Sequence, residues 1–160
     1  MHEIMPISQM GHDKLKEELS ELEKEAIQVR QRVAEAREQG DLKENGEYIY
    51  GRQQLGFIEG RLAEIRGRLN YSRIVDCTQV PCDRADFGTV VTLRNLENQK
   101  TIVFHLLGPY DADIADDGIS IRSPVGEALV GLAPGQQVEV NAPRGLIRYE
   151  LLDVKKSDFS

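Results

Sequence analysis

The stretch Gly40-Asp41-Leu42-Lys43-Glu44-Asn45-Gly46-Glu47-Tyr48 separates two apolar heptad runs and decides how the first half of the chain folds. Before it, Leu15, Leu19, Leu22, Ala26, Val29, Val33 and Ala36 recur at alternating spacings of 4 and 3, the seam of a coiled-coil helix. After it, Tyr48, Gly51, Leu55, Ile58, Leu62, Ile65 and Leu69 continue at spacings of 3 and 4. Two such helices joined by a short polar turn bury their seams only against each other. The pattern therefore predicts an antiparallel hairpin with residues 40–44 at its far end. Arms of about 25 residues, rising about 1.5 Å per residue, reach on the order of 40 Å. Ser8 suits the N-cap of the first arm, which should run from about residue 9 to about residue 38 and stop before Gly40. The second arm carries Gly46, Gly51, Gly56, Gly60 and Gly67. Each costs about 0.8–1 kcal/mol relative to Ala inside a helix, so the partner arm must supply most of its stability.

The pattern changes near residue 75, where heptads give way to short β-rich runs punctuated by Gly, Pro and Asp. We read a two-domain α+β protein: residues 1–75 an antiparallel coiled-coil hairpin with an acidic tip, residues 76–160 a small antiparallel β-sheet domain with a short helix. Strands are expected near 88–93, 101–107, 137–140 and 146–154, and the helix near 125–130. The net charge of -7 is uneven, with 12 Lys/Arg against 14 Asp/Glu up to residue 75 and 8 against 13 beyond it. An acidic second half argues against general affinity for naked nucleic acid, which is dominated by phosphate neutralisation. No apolar run approaches the roughly 18 residues of a membrane span, and Met1-His2-Glu3-Ile4 does not open a signal segment, so a cytoplasmic protein without a membrane partner is expected. Cys77 and Cys82 have no matching His cluster and read as free thiols rather than a zinc site.

Asp41 and Glu44 admit two readings. Asp41-x-x-Glu44 has the spacing of a capping box at the start of the second helix. Residues three apart on a helical turn also lie about 5–6 Å from each other, so both carboxylates could reach one hard cation or its bound water. Two carboxylates alone hold Mg²⁺ weakly and would need ligands from elsewhere.

The run Ala36-Arg-Glu-Gln-Gly-Asp-Leu-Lys-Glu-Asn-Gly-Glu-Tyr48, followed by Arg52-Gln53-Gln54 and Gly56-Phe57-Ile58-Glu59-Gly60-Arg61, resembles the bacterial GreA/GreB family of transcript-cleavage elongation factors. Phe87-Gly88-Thr89-Val90-Val91, Ile119-Ser120-Ile121-Arg122-Ser123-Pro124 and Ala128-Leu129-Val130-Gly131 extend the resemblance through the second half. It implies a coiled coil that enters the secondary channel of RNA polymerase and an FKBP-like second domain that docks outside it. Asp41 and Glu44 would then help hold a weakly bound Mg²⁺ shared with the polymerase active centre, with no metal held stably by the chain alone, and the polymerase would hydrolyse its own backtracked transcript. The resemblance also implies that Arg37 and Arg52 contact the nascent RNA 3′ segment, that Tyr48 and Asn45 support the tip, and that Ser123 and Pro124 make the docking contact.

Each residue keeps a plainer reading. Arg37 and Arg52 could pair with Glu38 or Glu47, worth at most about 0.5 kcal/mol per pair. Tyr48 continues the seam and should pack beneath the tip. Ser123 and Pro124 could simply start a helix. The FKBP-like fold raises prolyl isomerisation, but the second half has no Trp and few aromatics to build a peptide pocket. The chain departs from the family at Gly108-Pro109-Tyr110-Asp111-Ala112-Asp113, which replaces a more acidic loop, and at Gly46. The expected role is an accessory factor, monomeric and without turnover of its own. The alternatives are a channel-binding inhibitor of polymerase or a coiled-coil adaptor with no catalytic contribution.

Overall fold

The computed structural model describes residues 3–40 and 45–158. Contacts divide the chain into two compact units, Asp13–Asn70 and a second made of Met1–His12 with Tyr71–Ser160. The first dozen residues thus join the later half, whereas the sequence reading grouped them with the helices.

The first unit is the helical pair. Helix α1 (Gln9–Arg37) and helix α2 (Gly46–Asn70) follow the heptads closely. None of the seam residues is exposed, and Ala26, Val29, Ile58 and Leu62 form a buried cluster flanked by Leu19, Leu22, Val33 and Leu55. Ser8 caps α1 as expected, its Oγ accepting from the Gly11 N–H at 3.0 Å. Gly51 faces Val33: a Cβ there would stand 2.8 Å from Val33 Cγ2, so this seam glycine lets the two helices close up. Gly56, Gly60 and Gly67 have no neighbour within 4 Å of where a Cβ would stand and contribute no such approach.

The ion pairs flanking the seam fix the direction and register of the pairing. Glu23 meets Arg66 at 3.1 Å and Arg30 meets Glu59 at 3.4 Å. Seven residues forward along α1 correspond to seven back along α2, so the helices are antiparallel. Arg61 and Glu18 pair at 2.8 Å on the other flank.

In the second unit, strand β1 (Met5–Ile7) lies parallel to strand β2 (Ser72–Ile74). The main sheet contains β3 (Thr89–Asn95), β4 (Thr101–Leu107), β5 (Gly118–Ser120), β6 (Gln137–Ala142) and β7 (Gly145–Lys156) in the order β5-β4-β3-β7-β6. Its four longer strands are antiparallel, as expected, and β5 adds a short parallel edge. Helix α3 (Pro124–Leu129) contributes Leu129 to a core of Ala85, Val91, Leu93, Leu106, Leu151 and Val154. Leu151 and Val154 are an odd number of residues apart, yet both are buried. A register shift opposite Thr92 and Leu93 inserts one residue into β7 and turns both inward.

Asp111 and His105 are among the buried polar residues of this unit. Asp111 is fully buried in the β4–β5 connection, accepting from the Ser8 N–H at 2.8 Å and the Gly108 N–H at 2.7 Å. Burial raises its carboxyl above the usual range, against the pull of those donors. The loop Gly108-Pro109-Tyr110-Asp111-Ala112-Asp113 therefore turns its central carboxylate inward. His105 hydrogen-bonds Ser157 Oγ at 2.6 Å, and burial lowers its pKa below 6.5 against the pull of Asp117, Asp111 and Asp158. The unfolded chain binds that proton first, so the contribution of His105 to stability is complete above the ordinary histidine range and lost as pH falls through it. His105→Gln is expected to flatten the fall in stability between about pH 7.5 and pH 5.5, measured by denaturant unfolding; an unchanged slope would refute this origin.

Candidate functional site

The hairpin turn is built by chain geometry on both sides of residues 41–44. Helix α1 ends at Arg37, the Glu38 and Gln39 amides fold back onto Glu35 and Ala36, and Gly40 takes φ 139°, a left-handed value that favours glycine. On the other side α2 begins at Gly46, and its N-cap is Asn45. Asn45 Oδ1 accepts from the Tyr48 N–H at 3.1 Å, while its backbone carbonyl accepts from the Ile49 N–H at 3.1 Å. This corrects the capping-box reading, which gave that place to Asp41. Asp41 and Glu44 themselves, as the expected metal-holding pair, lie outside the described residues.

Asn45 does more than cap. Its Nδ2 donates to the Ala36 carbonyl oxygen at 2.6 Å, satisfying a carbonyl in the last turn of α1. One half-buried side chain thus joins the end of one helix to the start of the next. Tyr48 is half-buried at its seam position, which fits packing beneath the turn.

Arg37 and Arg52 are both exposed, and neither makes an ion pair among the described residues. The pairing with Glu38 or Glu47 is therefore not seen. Their place in the register is informative. Seven residues beyond Arg30 on α1 is Arg37, and seven before Glu59 on α2 is Arg52. The flank that carries Glu23–Arg66 and Arg30–Glu59 thus presents two guanidinium groups at its next rung, nearest the turn. Like charges at such neighbouring positions repel mildly in solvent, and guanidinium groups bind anions through paired N–H donors. The opposite flank has a groove of about 260 Å³ whose floor includes Ala36 and Gly51.

Ser123 and Pro124 lie far along the chain, in the second unit. Ser123 Oγ accepts from the Gly126 N–H at 3.1 Å and donates to the Ser120 carbonyl, and Pro124 is the first residue of α3, so both serve that helix start. Cys77 and Cys82 are free thiols, and burial pushes the Cys77 thiol up to about 11, well away from thiolate chemistry at neutral pH. Through the resemblance, sequence reasoning named Asn45 as tip support and Arg37 and Arg52 as RNA contacts; it did not give the hydrogen bond from Asn45 to Ala36 or the rung that the two arginines share. The first had a signal in the N-cap preference for Asn; the second needs the register between helices, which no single helix encodes.

Among known families, residues 80–156 match "Transcription elongation factor, GreA/GreB, C-term" and residues 5–74 match "Transcription elongation factor, N-terminal". The chain is 37% identical over 157 residues to the transcription elongation factor GreA of Desulfotalea psychrophila, covering 98% of each chain. It is 41% identical over 150 residues to the GreA of Maridesulfovibrio salexigens, covering 94% of each. Among solved structures it is similar to GreA factor homolog 1 (Gfh1) of Thermus thermophilus, at 19% identity, a TM-score of 0.45 and coverage of 96% of this chain and 99% of that one. Matches to both halves in order, and full-length relatives near 40% identity, place the chain in the GreA/GreB family of transcription elongation factors.

Proposed function

We propose that the protein inserts its helical hairpin into the secondary channel of RNA polymerase and stimulates the polymerase's own Mg²⁺-dependent cleavage of backtracked nascent RNA, rescuing arrested complexes. The observation that carries this reading is the Arg37–Arg52 rung beside the turn. It would supply a phosphate-binding pair for an extruded RNA 3′ segment, close in sequence to Asp41 and Glu44. The Asn45 cap adds support, because α2 needs no carboxylate from Asp41 to start, leaving both acidic residues for other work. The metal, shared with the polymerase, would activate a water and stabilise the leaving oxygen. Asp41 and Glu44 would help hold that ion through their carboxylate oxygens, and Arg37 and Arg52 would hold the strand. The protein acts as a monomeric, cytoplasmic accessory factor, and among the described residues no helix is long and apolar enough to cross a membrane. Ser123 and Pro124 mark the surface that docks on polymerase.

The test is transcript cleavage in halted, backtracked complexes with and without the protein. Stimulation supports the reading; undiminished binding with inhibition would favour the inhibitor, and binding without effect the adaptor. Arg37→Ala and Arg52→Ala should each weaken cleavage several-fold at low salt, and the gap from wild type should narrow as salt rises, because each variant releases fewer counterions. A defect of constant size across salt concentrations would refute phosphate contact.

A further inference from the structure

We infer that the groove on the Glu18–Arg61 flank of the hairpin receives one arginine side chain of a protein partner. The inference rests on the proposal that the hairpin enters the polymerase channel, and the partner is then the channel wall. The groove exists because bulk is missing from its floor. Val29, Ala36 and Gly51 line it, and Gly51 must stay bare, since a Cβ there would stand 2.8 Å from Val33 Cγ2. Its rim stays open as well. The register that pairs Glu18 with Arg61 at 2.8 Å sets Arg32 opposite Glu47, fourteen residues forward along α1 and fourteen back along α2. Among the described residues no ion pair joins those two, and a cavity of about 260 Å³ lies between the helices there.

The lining says what enters. Two carboxylates, Glu35 and Glu47, outnumber the one guanidinium, Arg32, so the groove attracts a cation and repels a phosphate. That sets it apart from the opposite flank, where Arg37 and Arg52 form the rung that suits RNA, and it favours protein over nucleic acid as the occupant. The volume falls below the roughly 300–1,000 Å³ of pockets that enclose a whole small molecule, and suits a single long side chain. Tyr50 lines the groove while remaining 66% exposed, so the hairpin leaves most of this aromatic surface unused in its own packing. An aromatic ring beside carboxylates, above an apolar floor, matches arginine in each part. The guanidinium stacks on the ring and forks into a carboxylate, while its methylene stem lies along the floor. Lysine carries the charge but has no planar fork. Tyrosine and arginine are also among the side chains that most often dominate the energetics of a protein interface.

The readout is polymerase binding, taken by competition against fluorescently labelled wild-type protein. Tyr50→Ala and Glu47→Gln should each raise the competing concentration about five-fold, with helicity by circular dichroism at wild-type values. Tyr50→Phe keeps the ring and should bind as wild type does. Because both side chains grip one guanidinium, the double variant Tyr50→Ala with Glu47→Gln should lose less than the product of the two single losses. A benzophenone amino acid in place of Gln54, which lines the same groove, then identifies the occupant. On irradiation in backtracked complexes it should join the protein to a polymerase peptide that contains arginine. Capture of RNA, capture of a peptide without arginine, or unchanged binding by both single variants overturns the inference. The cleavage reading fails separately. If wild-type protein binds polymerase without stimulating cleavage, that reading falls while the competition still reports the groove. If wild-type protein does not bind polymerase at all, the partner assigned to the groove is overturned too.

Discussion

Asp41→Ser combined with Glu44→Gln is expected to reduce stimulated transcript cleavage at least about 100-fold while leaving helicity and polymerase binding at wild-type levels. The size follows from the chemistry. Carboxylates that complete a metal site act on charge developing in the transition state, a contribution of several kcal/mol, and each 1.36 kcal/mol is a factor of ten. The specificity follows from the fold. Were Asp41 the N-cap of α2, its loss would fray the helix and confound the assay. Asn45 occupies that place, so the double variant leaves the cap and the bridge to Ala36 intact. Circular dichroism should overlay on wild type, and the variant should compete with wild type for polymerase at equal concentration. Undiminished cleavage by the variant would reject the metal role outright. Loss of cleavage in step with loss of competition would move the acidic pair from chemistry to docking.

The helices were legible because their stability comes from one periodic seam. Spacings of 3 and 4 from Leu15 to Ala36 and from Tyr48 to Leu69 located both arms, and Gly40 marked the turn. The longer strands were legible to within a few residues from β-rich runs bounded by Gly, Pro and Asp. The three-residue strands β1, β2 and β5 were not, since Met5–Ile7 and Ser72–Ile74 become strands only by meeting each other across more than sixty intervening positions. The acidic pair came from resemblance, because its spacing serves a cap or a cation equally well. Two facts about its surroundings required three dimensions. Asp41 and Asn45 are both good capping residues, and only the observed helix start chooses between them. Arg37 and Arg52 are linked in the sequence only through the family resemblance; the Glu23–Arg66 and Arg30–Glu59 pairs set the ladder on which they are the next rung.

Asp111→Ala should destabilise the unit that holds the sheet by about 3 kcal/mol, a larger effect than any single surface change. Its carboxylate accepts from two buried backbone donors, Ser8 and Gly108. Truncation strands both, at about 1–3 kcal/mol each. The surroundings leave no room for repair. A Cβ on Gly11 would come within 2.5 Å of Asp111 Cβ, and one on Gly108 would overlap the Pro6 carbonyl oxygen, so the segment from Pro6 to Gly11 is fitted closely around this one side chain. Asp111→Asn keeps the shape but turns one acceptor into a donor facing an N–H, and should recover less than half of the loss. The carboxyl is already raised by burial, so its charged form is held at a cost. A group whose pKa is higher in the folded state favours folding increasingly as pH falls through that pKa towards the unfolded value, opposite in sign to His105. In a His105→Gln background, which removes the opposing titration of the imidazole, Asp111 should therefore contribute a rise in stability as pH falls through its raised folded-state pKa towards the ordinary carboxylate range. Adding Asp111→Ala should erase that rise. Denaturant midpoints for the three proteins, followed from pH 7 into the acid range, would decide it. A midpoint unchanged by Asp111→Ala at pH 7 would mean that Ser8 and Gly108 find other acceptors, and that the inward-turned loop carries far less of the fold than its burial implies.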